Sequence, residues 1–228
     1  MKQYKHLIFD IDNTILDFSE SERHALRAVF TKYGVIYNEE SVATYSEING
    51  ALWEKLEEGT IKKDVLLSQR FSTFFQTQGV IVDGAVADDE FRTGLENRVD
   101  LIEGSKDVLK TLKERGYRIY AGTNGVGRTQ RNRLERAGLM PYFDELFISE
   151  EVGFEKPDVR FFDFIFNQLQ LTDVQTVLMI GDSLTSDIRG ANRYGIDSVW
   201  LNENNMTIDD NKPVYTVKKL TELTEMLV

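Results

Sequence analysis

Leu7-Ile8-Phe9-Asp10-Ile11-Asp12-Asn13-Thr14 stands only a few residues into the chain, and the rest is read outward from it. A short apolar run bounded by polar residues predicts a buried strand, with Asp10 and Asp12 at its C-terminal end. In an open α/β sheet that end is where ligands bind. Side chains two apart on an extended segment share a face, so both carboxylates can address one reacting centre. About 4 Å apart, two carboxylates repel by roughly 4 kcal/mol at a surface-like dielectric. A cation, or a proton on one of them, relieves that repulsion. Such a pair suits covalent catalysis by one carboxylate with the other as general acid and base. The competing reading of the same residues is a capping or turn-forming Asp-x-Asp-Asn before a helix.

Downstream, Ser19-Glu20-Ser21-Glu22 signals a helix start, followed by Ala25, Leu26, Val29 and Phe30 at helical spacing. Further helices are predicted over 39–58, 62–78 and 85–98, each carrying apolar residues three and four apart. Residues 17–99 thus read as all-helical. From Leu101 the pattern alternates. Ser105 is a candidate cap for a helix ending at Gly116, and Tyr117–Ala121 reads as a strand running into Gly122-Thr123-Asn124-Gly125. A helix over 128–137 and a strand near Leu146–Ile148 follow. Lys156-Pro157-Asp158 then leads to a helix with Pro157 in its first turn. Thr176–Ile180 is a strand ending in Gly181-Asp182-Ser183-Leu184-Thr185-Ser186-Asp187, and a helix, the strand Ser198–Leu201 and a final helix finish the chain. Strands alternating with helices imply a Rossmann-like α/β fold with a parallel sheet and right-handed crossovers. The expected organisation is an α/β core of residues 1–16 and 100–228, with a helical insertion at 17–99.

Polar groups terminate four separate strands in this reading. The Thr123 hydroxyl and the amides of Asn124 and Gly125 can cradle phosphoryl oxygens, and Lys156 adds a point charge. Asp10 and Asp182, completed by a backbone carbonyl and waters, offer the hard oxygen donors that Mg²⁺ prefers. Taken singly, the Thr123 segment is an ordinary turn, Lys156 a surface lysine, and Asp182 and Asp187 a helix start favoured by its dipole. Their occurrence together, each after a predicted strand, points to a catalytic site.

The composition, 41% hydrophobic over 228 residues, can supply a sizeable core. With 27 basic against 38 acidic residues, the net charge of −11 disfavours binding that tracks a polymeric nucleic acid. Zero cysteines exclude disulfides, Cys-ligated zinc and thiol catalysis, and accord with a reducing cytoplasm. The apolar run ended by Asp10 is too short for a signal peptide or a membrane span, so no membrane partner is expected.

The sequence resembles the haloacid dehalogenase-like (HAD) hydrolases with a helical cap of the C1 type. Asp10-x-Asp12-x-Thr14, Thr123, Lys156-Pro157 and Gly181-Asp182-x4-Asp187 match the four motifs of that superfamily in order. Thr123-Asn124-Gly125 with Gln130 and Leu134, and the segment Leu52-Trp53-x3-Glu57-x-Gly59, resemble its YjjG/YfnB-like 5′-nucleotidase subfamily. The resemblance implies a Mg²⁺-dependent phosphatase in which Asp10 is the nucleophile and Asp12 the general acid and base. Asp10, the Asp12 carbonyl and Asp182 would hold the metal, with Asp187 ligating directly or through water. Asp12 itself argues for phosphoryl rather than halide chemistry, since dehalogenating relatives lack an acid there. Asn13 stands where many relatives carry aspartate. The implied substrate is a small phosphorylated metabolite, a nucleoside monophosphate foremost, for a cytoplasmic monomer or homodimer. Phosphosugar phosphatase, phosphomutase and non-catalytic binding module are the alternatives. Trp53, Arg70 and Phe18 are candidates for leaving-group contact, against a packing role for the aromatics and a surface position for Arg70.

Overall fold

The apolar residues of the opening stretch form β1 (His6–Phe9), and its last three residues are buried. Then α1 (Phe18–Lys32), α2 (Glu39–Glu57), α3 (Lys63–Thr77) and α4 (Gly84–Glu96) follow with no strand between them. The alternating part comprises α5 (Ser105–Glu114), β2 (Arg118–Thr123), α6 (Gly127–Arg136), β3 (Glu145–Ile148), α7 (Ser149–Val152) and α8 (Val159–Gln168). It continues through β4 (Val177–Gly181), α9 (Arg189–Tyr194), β5 (Asp197–Leu201), β6 (Tyr215–Val217) and α10 (Leu223–Met226). This computed structural model describes residues 4–203, 205–207 and 211–228. The chain divides into two compact units, Met1–Phe18 with Val99–Val228, and Ser19–Arg98.

The first unit is built on a six-stranded parallel sheet in the order β3-β2-β1-β4-β5-β6. Phe9 on β1 lies opposite Ala121 on one side and Ile180 on the other. After β1 the chain fills one side of the sheet through β2 and β3, then crosses to β4. The direction of winding reverses between β1 and β4, and a ligand crevice belongs at their C-terminal ends. Alternation along the strands sends Leu7, Phe9, Ile119, Leu178 and Ile180 to the face covered by Val108, Leu109 and Leu112 of α5. Ile8, Tyr120, Met179 and Val177 go to the face packed on Phe161, Phe162 and Ile165 of α8. Burial on both faces explains why these strands are apolar runs rather than alternating ones. The exit and re-entry of the chain lie side by side: Leu16 bridges antiparallel to Leu101, and the Asp17 N–H donates to the Asp100 carbonyl at 3.0 Å.

In the second unit Phe30 stacks on Phe74 with ring centroids 4.4 Å apart, and Tyr45, Phe71, Phe75 and Phe91 complete a buried aromatic core. The start of α2 is fixed reciprocally: Asn38 Oδ1 accepts from the Ser41 N–H while the Ser41 hydroxyl accepts from the Asn38 N–H. Arg70 is not a surface charge. It is 4% exposed and donates through Nε to Asp88 Oδ1 at 2.7 Å, while Arg92 holds the other Asp88 oxygen. Trp53 packs against the cluster of Leu52, Leu56 and Leu66.

Several local expectations are revised. Ser105 is the first residue of α5 rather than its cap: Gly104, at φ 77, precedes it, and the Ser105 hydroxyl turns back to the Ile102 carbonyl. Pro157 lies outside α8, because the Asp158 side chain accepts from the Arg160 N–H and so takes the capping position. The second strand runs on through Gly122 and Thr123. Among the described residues no helix is long and apolar enough to cross a membrane.

Candidate active site

The site is assembled at the reversal point between β1 and β4. Asp10 follows β1 directly, and its N–H donates to the Ile180 carbonyl at 2.8 Å, which sets it beside the end of β4. The chain then turns sharply, with Asn13 at φ 55. Asparagine and aspartate both tolerate this left-handed conformation, so Asn13 serves the turn as well as an aspartate does. Asp182 follows β4, and its carbonyl accepts from the Trp200 indole N–H at 2.8 Å, tying the loop to β5. Asp187 comes from the π-helical turn Leu184–Ile188, which Ser183 caps by accepting from the Ser186 N–H. Asp10, Asp182 and Asp187 each present one carboxylate oxygen within 4.8 Å of the others.

Lys156 joins two of the three. It is 1% exposed, and its ammonium donates to Asp10 Oδ1 at 2.7 Å, Asp187 Oδ1 at 2.6 Å and the Gly122 carbonyl at 2.5 Å. All three of its protons are thereby used. Asn124 fixes the lysine backbone from both sides, accepting from the Lys156 N–H at 2.9 Å and donating to the Lys156 carbonyl at 2.8 Å. Burial opposes the ammonium charge, but Asp10 and Asp187 outweigh it and hold Lys156 protonated beyond the usual lysine range. Burial, helped by repulsion from Asp187 and Asp182, pushes Asp10 well above the usual carboxylate range despite the lysine. Asp182 is pushed up to about 7, by burial first and then by Asp187. With all three carboxylates ionised, the one ammonium would not balance them, so Asp10 and Asp182 hold protons more tightly than usual; oxygen donors so arranged fit a hard divalent cation that would displace those protons. Asp187 Oδ2 also accepts from the Ser183 N–H at 3.2 Å.

Thr123 closes β2. Its Oγ1 accepts from the Gly125 N–H at 3.0 Å and from Gln130 Nε2 at 2.9 Å. With both lone pairs engaged, its O–H proton has no protein acceptor among the described residues and is available to a ligand oxygen. The Gly125 N–H, expected to face a ligand, instead organises that hydroxyl. Asp12 has partners of its own, different from those of Asp10: Oδ2 accepts from Gln130 Nε2 at 2.8 Å and Oδ1 from Arg133 Nη1 at 2.5 Å. Arg133 and the roles of Gln130 and Trp200 were not foreseen. Gln130 and Arg133 fall three apart on α6 and so share a face, but Arg136 follows at the same spacing, and spacing alone does not single out Arg133.

Gly181 is present because nothing larger fits. A Cβ there would lie 2.1 Å from Asp187 Oδ2 and 2.4 Å from its Cγ, and Asp187 is pinned by Lys156 and Ser183. Gly181→Ala is expected to destabilise the protein by about 1–3 kcal/mol, readable by urea denaturation.

The raised Asp182 gives a pH dependence. Its carboxyl goes from an ordinary 3.8 to about 7, so between these values the folded metal-free protein holds a proton that the unfolded chain has released. Stability from this group is present below pH 4 and falls as pH rises towards 7. His6, lowered chiefly by burial, acts in the opposite sense. The difference between wild type and Asp182→Asn cancels it. In chelator, that difference is expected to decline from about pH 5 to about pH 7.5, read by urea denaturation.

The chain is similar to known proteins over nearly its whole length. A pyrimidine 5′-nucleotidase, PynA of Streptococcus pneumoniae, is 38% identical over 225 residues, covering 98% of this chain and 95% of PynA. Another, YjjG of Escherichia coli, is 32% identical over 222 residues, covering 97% and 96%. The magnesium-bound crystal structure of the HAD-hydrolase YfnB from Bacillus subtilis superposes with a TM-score of 0.94 at 38% identity over 99% of both chains. The family model described as haloacid dehalogenase-like hydrolase matches residues 4–195, spanning every carboxylate of the site, and the chain belongs to that family.

Proposed function

We propose that this protein is a Mg²⁺-dependent phosphatase of small phosphate monoesters, with pyrimidine nucleoside 5′-monophosphates foremost. The observation that carries the reading is the division of labour between two aspartates two residues apart. Asp10 Oδ1 is held by Lys156, leaving Oδ2 without a protein donor among the described residues, whereas Asp12 is held by Gln130 and Arg133. Asp10 Oδ2 forms a bond to phosphorus as the bond from phosphorus to the leaving oxygen breaks, and Asp12 gives that oxygen its proton. Water then attacks the aspartyl-phosphate, Asp12 takes the water proton, and the bond from phosphorus to Asp10 breaks. Proton transfer of this kind contributes about 10²–10⁴-fold. The Thr123 hydroxyl donates to a phosphoryl oxygen, and Lys156 keeps Asp10 aimed and its charge balanced. Magnesium, when bound by Asp10, Asp182, the Asp12 carbonyl and Asp187, supplies positive charge for the phosphoryl oxygens. With a net charge of −11, the chain needs such local cations to accept an anionic substrate.

The nucleotide preference rests on PynA and YjjG, both named pyrimidine 5′-nucleotidases. We assign leaving-group selection to the helical unit, Ser19–Arg98, acting as a cap. Phosphate release from UMP, dUMP, dTMP, purine nucleotides, phosphosugars and an aryl phosphate, with Mg²⁺ and with chelator, tests the reading. Metal-dependent release that favours the pyrimidine nucleotides is expected. Faster release from phosphosugars would move the substrate class, and release unaffected by chelator would remove the metal from the mechanism.

A further inference from the structure

Two side chains of α6, Gln130 from the subfamily pattern and Arg133 from outside every motif, reach the carboxylate assigned to proton transfer. Gln130 and Arg133 sit three apart on α6 and are 1% and 2% exposed. Between them they engage both Asp12 oxygens, and Arg133 Nη1 also donates to Gln130 Oε1 at 3.1 Å. Gln130 Nε2 reaches Thr123 Oγ1 as well, so the orientation of Asp12 is coupled to that of the hydroxyl at the end of β2. The Asp12 side chain is 29% exposed and has room to turn if these donors are removed. Phe18 lies against the guanidinium, its ring centroid 5.6 Å from Arg133 Cζ.

Arg133 is a poor choice for stability alone. Its Nη2 is buried without a hydrogen-bond partner, a penalty that an apolar side chain of similar length would avoid. Nor does its removal strand a buried charge, since the Asp12 side chain is 29% exposed and can take water in place of the guanidinium. We propose that Arg133, acting with Gln130, is a positioning residue that aims the Asp12 carboxyl at the leaving oxygen. This rests on the reading of Asp12 as general acid. The bidentate hold restricts rotation of a side chain that otherwise has two free torsions, and a misplacement of about 1 Å in such a group lowers rates by about 10²-fold.

The consequence is selective. An alkoxide leaving group needs the proton from Asp12, whereas a nitrophenolate leaves without it. Single-turnover release of the leaving group is measured for UMP and for p-nitrophenyl phosphate with wild type, Arg133→Met, Arg133→Lys, Gln130→Met and Asp12→Ala. Arg133→Met is expected to slow UMP by 10- to 100-fold and p-nitrophenyl phosphate by less than 3-fold, with no fall in melting temperature (estimates from the positioning effect). Arg133→Lys, which retains one donor, recovers part of the loss, and Arg133→Met has no further effect in an Asp12→Ala background. If Arg133→Met does not fold, Gln130→Met decides by the same ratio. Equal slowing of both substrates, or none, overturns the proposal while the general-acid reading stands, provided Asp12→Ala is itself selective for UMP. Unselective loss in Asp12→Ala overturns that reading and the proposal with it.

Discussion

Asp10→Asn is expected to lower phosphate release by a factor on the order of 10⁴–10⁶ while leaving the fold intact. The amide is nearly isosteric, and its carbonyl oxygen can still accept from Lys156. What it lacks is a nucleophilic carboxylate oxygen. Burial and the neighbouring carboxylates already penalise the Asp10 charge, so the neutral side chain is not expected to destabilise the metal-free protein. Loss of activity together with an unchanged or raised unfolding midpoint in chelator separates a chemical role from a structural one. Activity within tenfold of wild type would remove Asp10 as the nucleophile.

Lys156→Met is expected to have the largest effect on stability. The ammonium meets Asp10, Asp187 and the Gly122 carbonyl in a site where it is 1% exposed, and methionine offers none of these acceptors a proton. Removing one partner of a buried ion pair destabilises by roughly 3–5 kcal/mol, because the remaining charge has neither water nor counter-ion. Asp10, which Lys156 holds down, would rise further and bind a proton more readily. Lys156→Arg is not a rescue, since a planar guanidinium cannot direct three protons from one nitrogen. Urea denaturation in chelator measures the loss, and Mg²⁺ is expected to restore part of it by balancing the same carboxylates. A midpoint unchanged from wild type would show that the ammonium does not hold the cluster together.

The parts legible in the sequence were those whose signal is local. Apolar runs ending in Asp10 and Asp182 mark strands buried on both faces, and strands alternating with helices lead to the parallel sheet. Residues whose importance comes from tertiary burial were not legible. Arg133 sits among Arg128, Arg131 and Arg136 on a charged helix, and nothing in that run distinguishes the one guanidinium that turns inward to Asp12. Strand β6 is only three residues long and follows Lys212-Pro213; it is a strand because β5 offers it an edge, with Trp200 opposite Thr216. Pro157 has the chemistry of a first helical residue, but Asp158 beside it is the better cap. Lys156 alone reads as solvated, and only the approach of Gly122, Asp10 and Asp187 makes it a buried ion-pair partner.

The central claim is that Asp10 carries the phosphoryl group. Acid-quenched single turnovers with phosphoryl-labelled UMP and Mg²⁺, followed by peptide mapping, test it most directly. The account predicts a transient label on the peptide containing Asp10 that forms no more slowly than uridine is released and decays as phosphate appears. Turnover at the wild-type rate with the label on another residue would contradict it.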